Sequence, residues 1–296
     1  MSELLKMLCS TYPIIQGPIG RVNSPAFIAA VCEAGAYGML ALGFSGPEVV
    51  KDLIAGVRAK TDRPFGANVM LTNPATPEIL DVLAGAGIKT ITTSVGNPAQ
   101  IYKRIHELGM KGLHVALSLV HAKRAEEAGA DGLVIVGAEA GGLRSREPES
   151  STLVLVPLVA DNVKIPIVAA GGIADSRGFR AALVLGAQGV QIGTRFLAST
   201  ECPIHEKWKE AIVQAGDGGT TLLPMGKMST RVIITPKLRE AMKDPQADIS
   251  QVYDSSGYQK MGGTGNFDLF PPGAGQVSAL IREIKPIGEI IKEMVS

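Results

Sequence analysis

Three features of this 296-residue chain predict an α/β fold of the (β/α)8 barrel class with a smaller inserted substrate-binding lobe. Short β-branched runs alternate with longer, alanine-rich amphipathic segments, as βα units around a parallel sheet require. About eight such units can be counted, the number that closes a barrel. Ala-Gly-Ala or Ala-Gly-Ile steps recur at 34–36, 86–88 and 128–130, where a left-handed glycine would end a helix before the next strand begins. The length is generous for one domain but ordinary for one barrel.

The elements follow in order. Strands are expected at PIIQG (13–17), YGMLAL (37–42), FGANVML (65–71), KTITTS (89–94), GLHVAL (112–117), GLVIVG (132–137), IPIVAAGG (165–172) and GVQIGT (189–194). Helical segments between them include 46–60, 98–108, 119–128 and 175–185. The alternation stops after residue 200. Residues 201–270 hold the Gly-rich AGDGGTT, a Pro- and Met-bearing stretch and MGGTGNFDLFPPGAG, and no βα unit fits them. The expected division is a barrel over 1–200 and 276–296 and a lobe or lid over 201–275, with a last helix at about 276–295 packing back on the barrel.

Composition removes several classes of function. Hydrophobic residues make up 46% and charged residues 19%, so the chain can bury a sizeable core. A net charge of +1, without clusters of Lys and Arg among aromatics, supplies no field for nucleic acid. Cys9, Cys32 and Cys202 form no closely spaced motif, and an odd count argues against a disulfide framework, so a reducing compartment is expected and no metal centre. No apolar run reaches the length of a membrane span. The expected setting is the cytoplasm, without membrane or nucleic-acid partners.

In a βα barrel the chemistry sits where the strands end at their C-termini. The strand at 165–172 exits as AAGGIAD, where Gly171 and Gly172 let backbone amides approach a ligand and Asp175 can cap the next helix. The strand at 189–194 exits through Gly193 and Thr194, an amide and a hydroxyl. Two adjacent glycine-bearing exits form a cradle of N–H donors for a phosphate. The first strand exits as Gln16, Gly17, Pro18, Ile19, Gly20, a turn with room for a flat ligand, and Asn68 stands at the third exit. Gln191, polar within an apolar run, needs a partner. The sixth exit, AEAGGLRSREPES at 138–150, is a charged loop without histidine, cysteine or lysine. His114 is expected in the core, and His106, His121 and His205 at the surface.

PIIQGPIG, PFGANVML, AEAGG, PIVAAGGIAD, VQIGTRF and GAGQVSALIREIKP, occurring in this order, resemble the flavin mononucleotide (FMN) family that contains nitronate monooxygenases and enoyl-acyl-carrier-protein reductase II. The resemblance spans essentially the whole chain and implies a TIM barrel with a substrate lobe and FMN at the rim. It implies that Gly171, Gly172, Gly193 and Thr194 hold the phosphate, that Gln16, Gly17, Pro18 and Ile19 lie by the ring system, and that Asn68 and Gln276 lie near its polar edge. Gly141 and Gly142 belong to the AEAGG turn beside the cofactor. The resembling enzymes read AGGH there, with histidine moving a proton; here the position is Leu143, followed by Arg144. Glu139, Leu143 and Arg144 are therefore the candidate catalytic residues. Glu139 could serve as a base or pair with Arg144 or Arg146, and Arg144 could bind an anionic substrate group.

The leading expectation is an FMN-dependent oxidoreductase of nitronates, which arrive already deprotonated and need no base. The alternative is an NAD(P)H-dependent enoyl-thioester reductase, towards which the wording of ADGLVIVGAEAGG and the Gln-bearing C-terminal stretch leans. A third is a flavin-binding protein without turnover. The expected partner is a small-molecule substrate, with a homodimer also conceivable, and Met225 and Met228 are expected in the substrate pocket.

Overall fold

A computed structural model describes residues 2–20, 22–244, 246–254 and 256–296. The eight expected strands are all present: β1 (Ile14–Gln16), β2 (Gly38–Ala41), β3 (Phe65–Met70), β4 (Thr90–Ser94), β5 (Lys111–Ala116), β6 (Gly132–Val136), β8 (Ile167–Ala170) and β9 (Gly189–Ile192). They pair in parallel in the order β1-β9-β8-β6-β5-β4-β3-β2. The barrel closes where the ends of that order meet, with Ile15 bridged to Tyr37. There the Gln16 N–H donates to Tyr37 O (2.9 Å) and the Tyr37 N–H to Ile14 O (2.8 Å).

Two apolar layers follow from the period-2 alternation of strand side chains. Ile15, Met39, Leu113, Val134 and Val168 point inward and fill the barrel. Ile14, Leu40, Ala67, Ile91, Leu133 and Ile192 point outward, under the helices. Those helices are α2 (Pro25–Glu33), α3 (Pro47–Arg58), α4 (Thr76–Gly85), α5 (Ile101–Glu107), α6 (Leu119–Glu127), α7 (Thr152–Ala160) and α8 (Ser176–Val184). In α3, Val50, Ile54 and Val57 make the buried stripe at helical spacing. Gly35, Gly87 and Gly129, in the three Ala-Gly steps, take φ of +88°, +75° and +94°, the left-handed helix ends read from the sequence. A short N-terminal helix, α1 (Glu3–Leu8), plugs the bottom of the barrel: Leu4 and Leu8 join the inner layer, and the Thr90 hydroxyl donates to Met7 O.

A second, antiparallel sheet lies over the C-terminal rim. A hairpin of β10 (Thr220–Met225) and β11 (Met228–Ile233) turns at Gly226-Lys227, with Gly226 at φ +58°, the pattern of a type II′ turn. Its third strand, β7 (Gly142–Arg144), comes from the loop after β6 and pairs Leu143 with Thr230. The charged loop is thus partly a strand, because the hairpin edge offers its backbone a ladder that local sequence does not reveal. The short α9 (Thr194–Leu197) follows β9, and α10 (Glu206–Gln214), α11 (Pro236–Ala241) and α12 (Gly257–Thr264) complete this region. The last helix is shorter than expected: residues 276–280 form a 3-10 turn, and α13 covers only Ile287–Val295. Pro286 sits at its N-cap, and a helix running through that position would lose a backbone hydrogen bond and clash with the ring. Among the described residues, no helix is long and apolar enough to cross a membrane.

Candidate active site

A cavity of about 1720 Å³ opens at the C-terminal rim, lined by residues at the exits of all eight barrel strands, from Gly17 to Gly193. The second sheet and its neighbours roof it with Trp208, Met225, Met228, Thr230, Tyr258 and Phe270. The two methionines expected in a substrate pocket are both here.

The predicted phosphate cradle comes together as adjacent turns. Gly171 and Gly172 have consecutive positive φ of +101° and +73°, a backbone that glycine adopts freely and that leaves bare main chain at this strand exit. A Cβ built on Gly193 would meet nothing within 4 Å, so this residue faces open space in the cavity. The Thr194 hydroxyl accepts from the Gly275 N–H (2.9 Å), which leaves its proton for a ligand. Asp175 caps α8 as expected, accepting from the N–H groups of Arg177 (3.0 Å) and Gly178 (3.4 Å). The Arg177 guanidinium beside it holds its carboxyl below the ordinary carboxylate range.

Gly17, Pro18 and Ile19 line the cavity beside this cradle, and so do Gly141 and Gly142 across from them. Asn68 lines it as well, with its amide satisfied internally: Nδ2 donates to Thr92 Oγ1 (2.9 Å) and Oδ1 accepts from Ser94 Oγ (3.2 Å). Two expected ligand residues are not among those that line the cavity. Gln16 is buried beside Ile192 in the outward layer and does not line the cavity. Its neighbour across the sheet at the next register position, Gln191, does, and its buried Oε1 has no partner in the structure. A shift of one residue along a strand exchanges the two faces, which separates the two glutamines, and the buried Oε1 of Gln16 likewise has no partner in the structure. Gln276 is exposed, its backbone N–H donates to Glu139 O (2.9 Å), and its neighbours Gly275 and Val277 line the cavity.

The loop after β6 is tightly braced. Leu143 is 44% exposed and lines the cavity. Arg144, on the opposite face of β7, is 1% exposed. Its Nε and Nη2 donate to Glu149 Oε2 (2.9 and 2.7 Å), and Nη2 also donates to Gly137 O (3.0 Å). Arg144 lines the cavity as well, with its Nε and Nη2 committed to Glu149 and Gly137. The pairing of Glu139 with Arg144 or Arg146 is absent: Arg146 Nη1 donates to Gly226 O (2.9 Å), and the Glu139 carboxylate accepts from Thr152 N and Oγ1. His114 is buried as expected, with Nδ1 2.7 Å from Thr93 Oγ1, and burial lowers its pKa to about 4.

The model of the nitronate monooxygenase family matches residues 2–296. This chain belongs to the nitronate monooxygenase family. A nitronate monooxygenase of Pseudomonas aeruginosa is 32% identical over 98% of this chain and 97% of its own length. Among solved structures, FabK of Thermotoga maritima, an enoyl-acyl-carrier-protein reductase II, superposes with a TM-score of 0.89 at 34% identity, covering 99% of this chain and 94% of that one. A nitroalkane oxidase of Streptomyces ansochromogenes gives 0.84 at 28%, covering 99% and 96%. Nitronate monooxygenase family members are flavin-dependent oxidoreductases, and the residues present here suit a flavin. The Gly171–Gly172 turn presents donors, Gly193 leaves the space that a Cβ would fill, and Gln191 Oε1 is a buried acceptor without a partner, which the polar edge of a flavin could satisfy.

Proposed function

We propose that this protein is an FMN-dependent oxidoreductase that oxidises alkyl nitronates with O2 in the cytoplasm. The observation that carries the reading is Leu143, an apolar side chain facing the cavity at the position where resembling enzymes place their proton-moving histidine. A nitronate is already a carbanion equivalent and asks for no base, so a leucine there costs it nothing. Bound FMN would supply the electron transfer between nitronate and O2.

The chain's own residues bind, orient and exclude water. Gly171, Gly172, Gly193 and Thr194 would receive a single terminal phosphate, which favours FMN over a dinucleotide. Gly17, Pro18 and Ile19 with Gly141 and Gly142 give two low walls for a flat ring system, and Asn68 and Gln191 offer amides at its polar edge. Trp208, Met225, Met228 and Phe270 cover the reacting face with apolar surface and keep bulk water off it. The three free cysteines are in keeping with a reducing compartment, and burial raises the Cys32 and Cys202 thiols to about 11 and about 12.

Similarity to FabK favours a second reading, reduction of an enoyl thioester with NAD(P)H. The cavity exceeds the roughly 300–1,000 Å³ that one drug-sized ligand needs, so it can take a long acyl chain beside a cofactor. That reaction requires a proton at the α-carbon, which Leu143 cannot give.

Anaerobic stopped-flow mixing of the FMN-loaded protein with alkyl nitronates, NADH and NADPH separates the readings. Bleaching by nitronate followed by rapid O2 consumption is expected. Bleaching by a pyridine nucleotide alone, with reoxidation by an enoyl thioester, would replace the first reading by the second. A flavin that none of them bleaches would leave a binding protein without turnover.

A further inference from the structure

We propose that Glu139 is a positioning residue for the phosphate cradle: through Thr152, its carboxylate holds the Gly171–Gly172 turn in the shape that receives the cofactor phosphate. The inference rests on the FMN reading of the cavity.

Helix α7 begins at Thr152, and its N-cap residue, Ser151, makes no side-chain cap bond. The cap comes instead from another segment. Both oxygens of the Glu139 carboxylate lie on the Thr152 N–H (2.9 and 3.1 Å), and Oε2 is also 3.0 Å from the Thr152 hydroxyl. A carboxylate there meets the positive end of α7, which offsets its charge and allows it to stay close to a phosphate site. The same hydroxyl lies 3.0 Å from Gly171 O and 3.4 Å from Ala170 O. It has one proton for these acceptors, so the N–H bonds keep the carboxylate in place while the hydroxyl wedges it against the turn.

The surrounding backbone is shaped to this contact. A Cβ on Gly137 would fall 2.1 Å from Thr152 Oγ1, and one on Gly171 would fall 3.0 Å from it. One on Gly172 would sit 3.8 Å from the Glu139 side chain. The main chain of Glu139 reaches the other half of the cradle: its carbonyl accepts from the Gln276 N–H (2.9 Å), beside Gly275, whose own N–H donates to Thr194 Oγ1. One residue therefore joins the Gly171–Gly172 turn to Thr194. Without the carboxylate, a turn with two successive left-handed residues is free to take other shapes, and the phosphate then has to select the competent fraction.

The test is titration of the apoprotein with FMN, followed by quenching of flavin fluorescence, with circular dichroism and melting to check folding. Glu139→Ala and Thr152→Val should each weaken FMN roughly tenfold or more. The double variant should be no weaker than the worse single one, because both act on the same clamp. Glu139→Gln keeps an oxygen for the Thr152 N–H and should largely rescue binding. Unchanged FMN affinity in Glu139→Ala would overturn the role, as would Glu139→Gln that keeps FMN but loses turnover on neutral nitroalkanes, the signature of a base. If Glu139→Ala does not fold, Thr152→Val alone decides. Failure of the unaltered apoprotein to take up FMN would instead overturn the cofactor reading itself.

Discussion

Single atoms decide the chemistry at the rim. Gly193 has φ −109°, which any residue can adopt, and open space where its Cβ would be. Gly193→Val should therefore fold and melt like the unaltered apoprotein yet purify colourless and take up no FMN on titration. Retention of FMN by this variant would place the phosphate elsewhere. Leu143 projects into the cavity from a paired strand, so Leu143→His would place an imidazole where the backbone is already held. General acid–base assistance is worth roughly 10²–10⁴-fold, and oxidation of neutral nitroalkanes should rise towards that scale while nitronate oxidation changes little. Initial rates on the two substrate forms check this. His114 titrates with the fold. Its folded pKa of about 4 lies below the ordinary histidine value of 6.5, because burial disfavours the cation and His121 adds in the same direction. Between those values the unfolded chain binds a proton that the folded chain refuses, so stability falls as pH drops through the window, by up to about 3 kcal/mol. Urea midpoints at pH 7 and pH 4.5 should differ less in His114→Gln than in the unaltered protein.

Among elements, β7 matters most, since it carries Leu143 and ties the barrel to the hairpin above it. What keeps this three-residue strand in place is the buried pair of Arg144 and Glu149, with side chains 1% and 7% exposed. Removing one partner leaves a buried charge uncompensated, at a cost of about 3–5 kcal/mol, whereas replacing both with apolar groups of similar volume is often neutral. Glu149→Ala should lose stability on that scale in urea unfolding, and Arg144→Met with Glu149→Leu should recover most of it. If the single change costs no more than a surface pair, the brace is not what holds β7. The sequence offered the hairpin as TTLLPM and MSTRVI around a two-residue Gly-Lys turn, a readable signal once strands rather than βα units are sought. The pairing of its edge with residues 142–144 was not readable, because a three-residue strand acquires its identity from its neighbour.

At the scale of the molecule, the roof over the cavity is joined to the barrel by backbone pairing at β7. Its side of the cavity is lined by Met225, Met228, Tyr258 and Phe270. We expect this region to act as a lid. Limited proteolysis should then cut within residues 201–270 of the FMN-loaded protein, and a nitronate or a slow analogue should protect those sites further. Equal cleavage with and without substrate would make the region a fixed wall.

The sequence by itself determined the barrel. Eight strand runs, their alternating faces and the glycines that end the helices are local properties, set by side-chain period and backbone freedom, and they needed no knowledge of partners. It also put Gly171, Gly172, Gly193 and Thr194 at one cavity, because strand exits in a barrel converge on one rim whatever the details of the loops. Only the tertiary structure decided which side chains reach the cavity. Gln191 lines the cavity and Gln16 does not, because inward and outward positions alternate at single-residue spacing, finer than a strand boundary can be read. Gln276 stands exposed in a 3-10 turn where a helix was expected. Arg144 and Glu139 become braces because Glu149 and Thr152, five and thirteen residues further along the chain, fold back onto them. Such contacts depend on distances between segments, which composition and periodicity do not encode.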